Sequence, residues 1–356
     1  MRVRYARARR TAPPTARLLE LAAEALLRLG ERPEAEGASD EERLREALER
    51  TLEEAGETGV EAQELLRRLK REGWIERMPG RRELRLRAHP ELLELAALRA
   101  LRALDVPPRR VLPGAWPRPG ADGPHEPHGP TRPWRWGEPL TLDPVETLKP
   151  WLARGELRVE DLRVREGEGG RRVAVALLLD CSHSMVLYGA DRFGPAKRLA
   201  LALHHWLGRA GDRLHTVCFH DVAEPVPPQR LPFLRAQPSH THTAAALEAA
   251  RAWLRRQGDA QKRAVLITDG HPTAVRREDG RIYKNAWGRD PEIERATLAA
   301  AARLRRAGGE LDVYLLADDA VARGFARELA RVARGRVFEV DPERLGRAVL
   351  TGLARG

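Results

Sequence analysis

The residues best suited to chemistry gather in three short stretches. Asp180-Cys181-Ser182-His183-Ser184 follows the chain's longest uninterrupted apolar run, Val173 to Leu179. Thr268-Asp269-Gly270 closes a second apolar stretch, and Ser239-His240-Thr241-His242-Thr243 lies between the two. Serine is avoided elsewhere: Ser39, Ser182, Ser184 and Ser239 are the only four in 356 residues, and two of them stand just after Asp180. Two carboxylates and three hydroxyls make an all-oxygen donor set. Such a set suits a hard cation, Mg²⁺ or Mn²⁺, which prefers oxygen ligands and tends to keep some water. Neutral hydroxyls leave much of the ion's charge uncompensated, so an acidic side chain from another protein could complete the coordination. That is a device for binding, and it needs no bond to be made or broken.

The elements that must position these residues are legible in the apolar rhythm. From Arg171 strands and helices alternate. The predicted strands are Val173 to Asp180, Leu214 to His220, Ala223 to Val226, Arg263 to Thr268, Leu311 to Leu316 and Arg336 to Val340. Helices are predicted at Pro195 to Gly208, Thr243 to Arg256, Pro291 to Ala307, Ala320 to Ala333 and Pro342 to Ala354. The pattern predicts an α/β fold, a central mostly parallel sheet with helices on both faces. In such sheets ligands bind outside the carboxyl ends of the strands, where Asp180 and Asp269 fall. Asp318-Asp319, after another strand, also looks site-like, but with a helix starting at Ala320 it reads as a helix cap, as does Asp290 before Pro291.

Ahead of this lies a different organisation. Arg17 to Leu29, Asp40 to Glu54 and Val60 to Arg71 carry Leu and Ala at helical spacing, with Asp40 and Thr58 as expected N-caps. Two alternating segments around Met78-Pro79-Gly80 predict a hairpin, and Pro90 to Leu104 a closing helix. Three helices and a hairpin make a small, mainly α, winged-helix-like domain. The expected divisions are a basic tail at 1–14, this domain at 15–106, and a linker at 107–133 with nine prolines and four glycines in 27 positions. A connecting segment, 134–170, is expected to pack on the last domain, 171–356, with Trp134 and Trp136 anchoring its start. A short helix is expected from Pro144 to about Ala153.

The D-x-S-x-S strand end, the threonine loop and the later T-D-G resemble the metal-ion-dependent adhesion site of von Willebrand factor type A (VWA) domains. The resemblance covers about residues 171 to 350. It implies a Rossmann-like VWA fold in which Asp180, Ser182, Ser184, Thr241 and Asp269 coordinate Mg²⁺ or Mn²⁺, Asp269 mainly through water. Trp134 to Pro139, Asp191-Arg192-Phe193 and Asp269 to Thr273 followed by Glu278 to Arg281 resemble more narrowly bacterial cytoplasmic members related to the magnesium chelatase D subunit and CoxE. That implies a non-enzymatic adaptor gripping an acidic residue of a partner, a MoxR-type AAA+ ATPase or its client, in complex remodelling or metal insertion. The sequence departs from the family pattern at His183 and His240, where glycine is usual, and at His242, where Asn or Asp is common. With His271, these form an expected outer histidine shell that would make the site pH-sensitive or open to Zn²⁺. The plainer alternative is that these loops tolerate histidine.

Rival functions leave weaker traces. No G-x-x-x-x-G-K-[ST] occurs, no G-x-G-x-x-G follows the first strand, and Ser182 and Ser184 lack the glycines of a nucleophile elbow. A metal-dependent hydrolase remains as one alternative reading. Nucleic-acid binding is another: Arg67, Arg68, Lys70 and Arg71 on the third helix, with Arg81 and Arg82 on the hairpin, resemble a basic recognition helix and wing. The net charge of +11 is weak support, because 52 acidic residues interleave with 63 basic ones. Cys181 and Cys218 are too few for a disulfide scaffold and read as small buried apolar residues. With no bilayer-length apolar run and no signal-like apolar segment at the start, the expected location is the cytoplasm, away from membranes.

Overall fold

The computed structural model describes residues 16–29, 38–57, 60–78, 85–104, 131–133, 144–154, 158–165, 173–186, 191–209, 212–258, 260–285 and 287–354. The basic tail, Thr58, Arg81, Arg82, most of the expected linker, and Trp134 and Trp136 lie outside them.

Helices α1 (Ala16–Arg28), α2 (Asp40–Glu54) and α3 (Ala62–Arg71) come first, then strands β1 (Ile75–Arg77) and β2 (Leu86–Ala88), then α4 (Pro90–Ala103). β1 and β2 pair antiparallel, as the alternation predicts. The cap of α2 differs from expectation. Ser39 is the N-cap, and it forms a reciprocal capping box with Glu42. Asp40 is already helical, and its carboxylate accepts from Leu86 N at 2.9 Å and from Arg230 at 2.5 Å. Glu61 occupies the N-cap position of α3 without a side-chain capping hydrogen bond.

Next come β3 (Thr131–Pro133), α5 (Pro144–Arg154) and β4 (Arg163–Arg165). β3 pairs antiparallel with β4, so the last residues of the expected linker form a strand. A two-strand ribbon tolerates Pro133 at its end, because an edge position does not require its missing N–H.

The remaining elements are β5 (Val173–Asp180), α6 (Phe193–Arg209), β6 (Arg213–Phe219), β7 (Ala223–Val226), α7 (Thr243–Leu254), β8 (Gln261–Thr268), β9 (Ala274–Arg276), β10 (Ile282–Lys284), α8 (Pro291–Arg306), β11 (Gly309–Leu315), α9 (Ala320–Val332), β12 (Val337–Glu339) and α10 (Leu345–Ala354). Six strands form one sheet in the order β12-β11-β8-β5-β6-β7, parallel except for the edge strand β7. All eight residues of β5 are buried, as befits a central strand covered on both faces. Val173, Val175, Leu177 and Leu179 join the core on one face, and Ala174, Ala176 and Leu178 the core on the other. The alternation follows from the two-residue period of a strand. The second face is covered by α7, α8 and α9, whose alanines allow close approach to the sheet.

The first face explains how the N-terminal helices sit. α6 buries Phe193, Ala196, Leu199, Ala200, Leu201, Ala202, Leu203 and Leu207. A helix apolar nearly all round must be covered on two sides. The sheet covers one side, and α4 is among the elements that cover the other, so that Leu92, Leu93, Ala96 and Ala100 belong to the same continuous core as Val175 and Leu177. Polar contacts seal this junction. Arg43 Nη1 donates to Phe233 O at 3.1 Å, and the fully buried Lys197 Nζ donates to Pro232 O at 3.1 Å and to Leu29 O. The N-terminal helices are therefore built into the α/β unit, beyond any tether that a linker would supply.

Cys181 and Cys218 are buried as expected, but they are joined by a disulfide. Parallel pairing of β5 with β6 continues one residue past Asp180, where Cys181 N donates to Phe219 O at 2.8 Å. This places the two Cα atoms 6.0 Å apart, within bridging range. Protein denatured without reductant is expected to show no thiol reactive with Ellman's reagent, and two per chain after reduction. Two thiols before reduction would mean the bridge does not form.

Candidate metal centre

Asp180 ends the most buried strand and is itself 0% exposed. Its Oδ1 accepts from Ser182 N at 2.9 Å, and its Oδ2 from Thr268 Oγ1 at 2.6 Å. Ser182 and Ser184 hydroxyls lie 3.2 Å apart, and Ser184 Oγ donates to Asp269 Oδ1 at 2.8 Å. Four of the five expected ligands are thus joined in one hydrogen-bonded chain. Adjacent oxygens around an octahedral ion at Mg²⁺–O distance stand about 2.9 Å apart. The two serines and Asp269 already hold that spacing, so the donor set fits a small hard cation.

Thr241, buried two residues before α7, is fixed through its backbone by Thr273 and Ala274, with no hydrogen bond to the other four expected ligands among the described residues. Its N donates to Thr273 Oγ1 at 2.9 Å, and its carbonyl accepts from Thr273 N at 2.9 Å and Ala274 N at 3.2 Å. The loop before it is stitched to the Asp180 loop by Gln237 N to Cys181 O at 2.7 Å and His183 N to Ser239 O at 3.4 Å. Residues 274–284 form the β9–β10 hairpin, which clasps this threonine loop. Arg276 N reaches His242 Nε2 at 3.3 Å, and Lys284 pairs with Asp221, whose Oδ1 accepts from His240 N at 2.9 Å.

Burial, then the neighbouring charge of Asp269, pushes the Asp180 carboxyl up to about 7. Asp269 is also raised, chiefly by burial, with Ser184 and Arg192 opposing. Two desolvated carboxylates that resist ionisation together are a natural place for an external cation.

The four histidines are engaged elsewhere or turned outward. In His242, Nδ1 donates to Asp221 O at 3.0 Å while Nε2 accepts from Arg276 N, which uses both ring nitrogens. His271 Nε2 meets Glu294 Oε1 at 2.7 Å, and its ring stands edge-on to Phe325. Burial holds both imidazoles below their ordinary value. His183 is exposed, and His240 lies half-buried beside Asp221. Among the described residues, no three His, Cys, Asp or Glu side chains converge on a metal-sized site.

Three residues near the site were not singled out by their types. Thr268 and Thr273 hold Asp180 and Thr241 in place, and Arg192 Nη1 donates to Asp269 Oδ2 at 3.2 Å. Thr268 was within reach as the first residue of T-D-G; Arg192 carried no signal beyond its segment.

The basic residues of the N-terminal helices are largely paired. Arg67 meets Glu64, Arg68 meets Glu72, and Lys70 and Arg77 both meet Glu41. Arg71 is exposed. Among the described residues no helix is long and apolar enough to cross a membrane.

Comparison with known proteins agrees with this fold. Residues 173–353 match the family described as "Rv0959-like protein, vWA domain". The protein Rv0959 of Mycobacterium tuberculosis is 33% identical over 249 residues, covering 65% of this chain and 36% of its own length; a Mycobacterium bovis protein, Mb0984, matches equally. The chain therefore spans about a third of the length of these curated relatives. Solved structures with a similar fold include an aerotolerance-related membrane protein of Bacteroides fragilis (20% identity, 52% of this chain and 100% of that one, TM-score 0.38). Another is the SpRpn10 VWA domain (13% identity, 52% and 98%, TM-score 0.38). VWA domains often mediate protein–protein interaction. The chain belongs to the Rv0959-like vWA domain family.

Proposed function

We propose that this chain is a non-enzymatic, metal-ion-dependent protein-binding adaptor whose site at Asp180, Ser182, Ser184, Thr241 and Asp269 holds Mg²⁺ or Mn²⁺. The observation that carries the proposal is the run of hydrogen bonds that gathers these side chains: Ser182 N to Asp180 Oδ1, then Ser182 Oγ to Ser184 Oγ to Asp269 Oδ1. When bound, the ion supplies a positive centre with room for one more oxygen ligand. Three of the five donors would be uncharged hydroxyls and Asp269 is shared with the Arg192 guanidinium, so the protein's own donors leave part of the ion's charge for another ligand. An acidic side chain of a partner is the fitting sixth group. The motif resemblance favours a MoxR-type AAA+ ATPase or its client as that partner, and a cytoplasmic setting. A reducing cytoplasm would oppose the Cys181–Cys218 bond, so the thiol measurement bears on location as well.

Calorimetric titration of Mg²⁺, Mn²⁺ and Zn²⁺ into metal-free protein tests the site. Binding of Mg²⁺ or Mn²⁺ is expected, followed by ion-dependent capture of the ATPase that chelator reverses. Absence of all binding would defeat the proposal. Because the ion must displace a proton from Asp180, held near 7 by burial, Mn²⁺ affinity is expected to fall by about tenfold per pH unit below 7 and to level off above it. A flat profile between about pH 5.5 and 7.5 would place the ion elsewhere.

A further inference from the structure

Arg192 supplies a permanent positive charge at this site. It sits in the turn between the serine loop and α6, and the turn is pinned: Arg192 N donates to Met185 O at 3.1 Å, and Gly194 N donates to Asp191 Oδ1 at 2.7 Å. A Cβ at residue 194 would lie 2.1 Å from Asp191 Oδ2, so glycine lets the Asp191 carboxylate close this cap. From the pinned turn, Arg192 Nη1 donates to Ser184 O at 3.3 Å and to Asp269 Oδ2 at 3.2 Å. The Asp269 side chain is 3% exposed and that of Arg192 17%, so the pair is shielded from solvent screening. With Ser184 Oγ on Oδ1, both oxygens of Asp269 are held by the protein's own donors.

A guanidinium cannot lose its charge in the accessible pH range. It therefore competes with any cation for Asp269 and repels a divalent ion placed nearby. We infer that Arg192 is a built-in counter-cation that holds Asp269 when no metal is bound and weakens divalent-ion binding at the site. An incoming partner carboxylate then has two positive groups to meet, the ion and the guanidinium it loosens, so ion and acidic partner bind better together than apart. This inference rests on the metal-site reading above and specifies how that site is regulated.

The test is Mn²⁺ titration, followed by calorimetry, into metal-free full-length wild type and variants, with free acetate as the carboxylate probe in a second series. Arg192→Ala is expected to tighten Mn²⁺ by about tenfold or more, because a shielded charge pair no longer has to be disrupted. Arg192→Lys, which keeps the charge, should stay near wild type. Arg281→Ala, at a side chain 88% exposed, controls for the loss of one positive charge and should change affinity by less than about twofold. Acetate should strengthen Mn²⁺ binding more in wild type than in Arg192→Ala. Should Arg192→Ala lower the melting temperature, Arg192→Gln keeps a donor for Ser184 O and is read in its place. Unchanged or weaker Mn²⁺ binding in the uncharged variant would overturn the competition while leaving the metal site standing. Silence of wild type and variants alike would overturn both.

Discussion

Asp180→Asn is expected to abolish Mg²⁺ and Mn²⁺ binding, with an affinity loss of at least about 100-fold, while the fold survives. The amide is nearly isosteric. Its Oδ1 can still accept from Ser182 N, and its Nδ2 can donate to Thr268 Oγ1, so both observed contacts have replacements. What disappears is the charge, which the ion needs and the metal-free protein does not. The Asp180 carboxyl is pushed from its ordinary value of 3.8 up to about 7, first by burial and then by Asp269. Between these values the folded chain holds a proton that the unfolded chain has released. Stability from this group is therefore fully present below about 3.8 and lost as pH rises through about 7. Above that the ionised carboxylate opposes folding by about 4 kcal/mol. Metal-free Asp180→Asn should consequently melt above metal-free wild type near pH 8, and the two should converge in acid. Saturating Mn²⁺ should raise the wild-type midpoint only. An Asn variant that binds Mn²⁺ normally would remove Asp180 from the site.

Lys197→Ala is expected to destabilise the chain by about 4 kcal/mol, read from the urea midpoint. The side chain is fully buried, and its amino group donates to Leu29 O at the end of α1 and to Pro232 O in the 228–233 turn. Truncation leaves buried carbonyls short of a donor and opens a cavity where the aliphatic stem lay. Because this lysine ties the N-terminal helices to α6, wild type should unfold in one transition by both circular dichroism and tryptophan fluorescence. The variant should split the transition or lower it as a whole. A cost below about 1 kcal/mol, with two transitions in wild type, would mean that the helical unit is only tethered.

Much of the α/β unit was legible because its signals are local. A seven-residue, β-branched-bearing apolar run such as Val173 to Leu179 has the length and composition of a strand buried on both faces, and Asp290 and Asp319 cap their helices as their positions suggest. The meeting of the two carboxylates was legible for a related reason. A parallel sheet puts strand ends side by side, so Asp180 and Asp269, at the ends of the neighbouring strands β5 and β8, had to meet. Where sequence reading missed, the determining partner was distant. Ser39 took the cap of α2 because Asp40 was drawn to Leu86 N and Arg230, 46 and 190 residues away. The histidines looked like an outer metal shell by their spacing alone. In space, Asp221, Arg276 and Glu294 claim His242 and His271.

By itself, then, the sequence determined the order of strands and helices along the chain and the placing of the Asp180 and Asp269 carboxylates at strand ends, since periodicity, residue type and strand direction are properties of short segments. Only the tertiary structure decided that Cys181 meets Cys218, that the β9–β10 hairpin clasps the threonine loop, that α4 covers α6, and that Arg192 faces Asp269. Each of these depends on two segments arriving at one point, and no local pattern in either segment encodes the other's position.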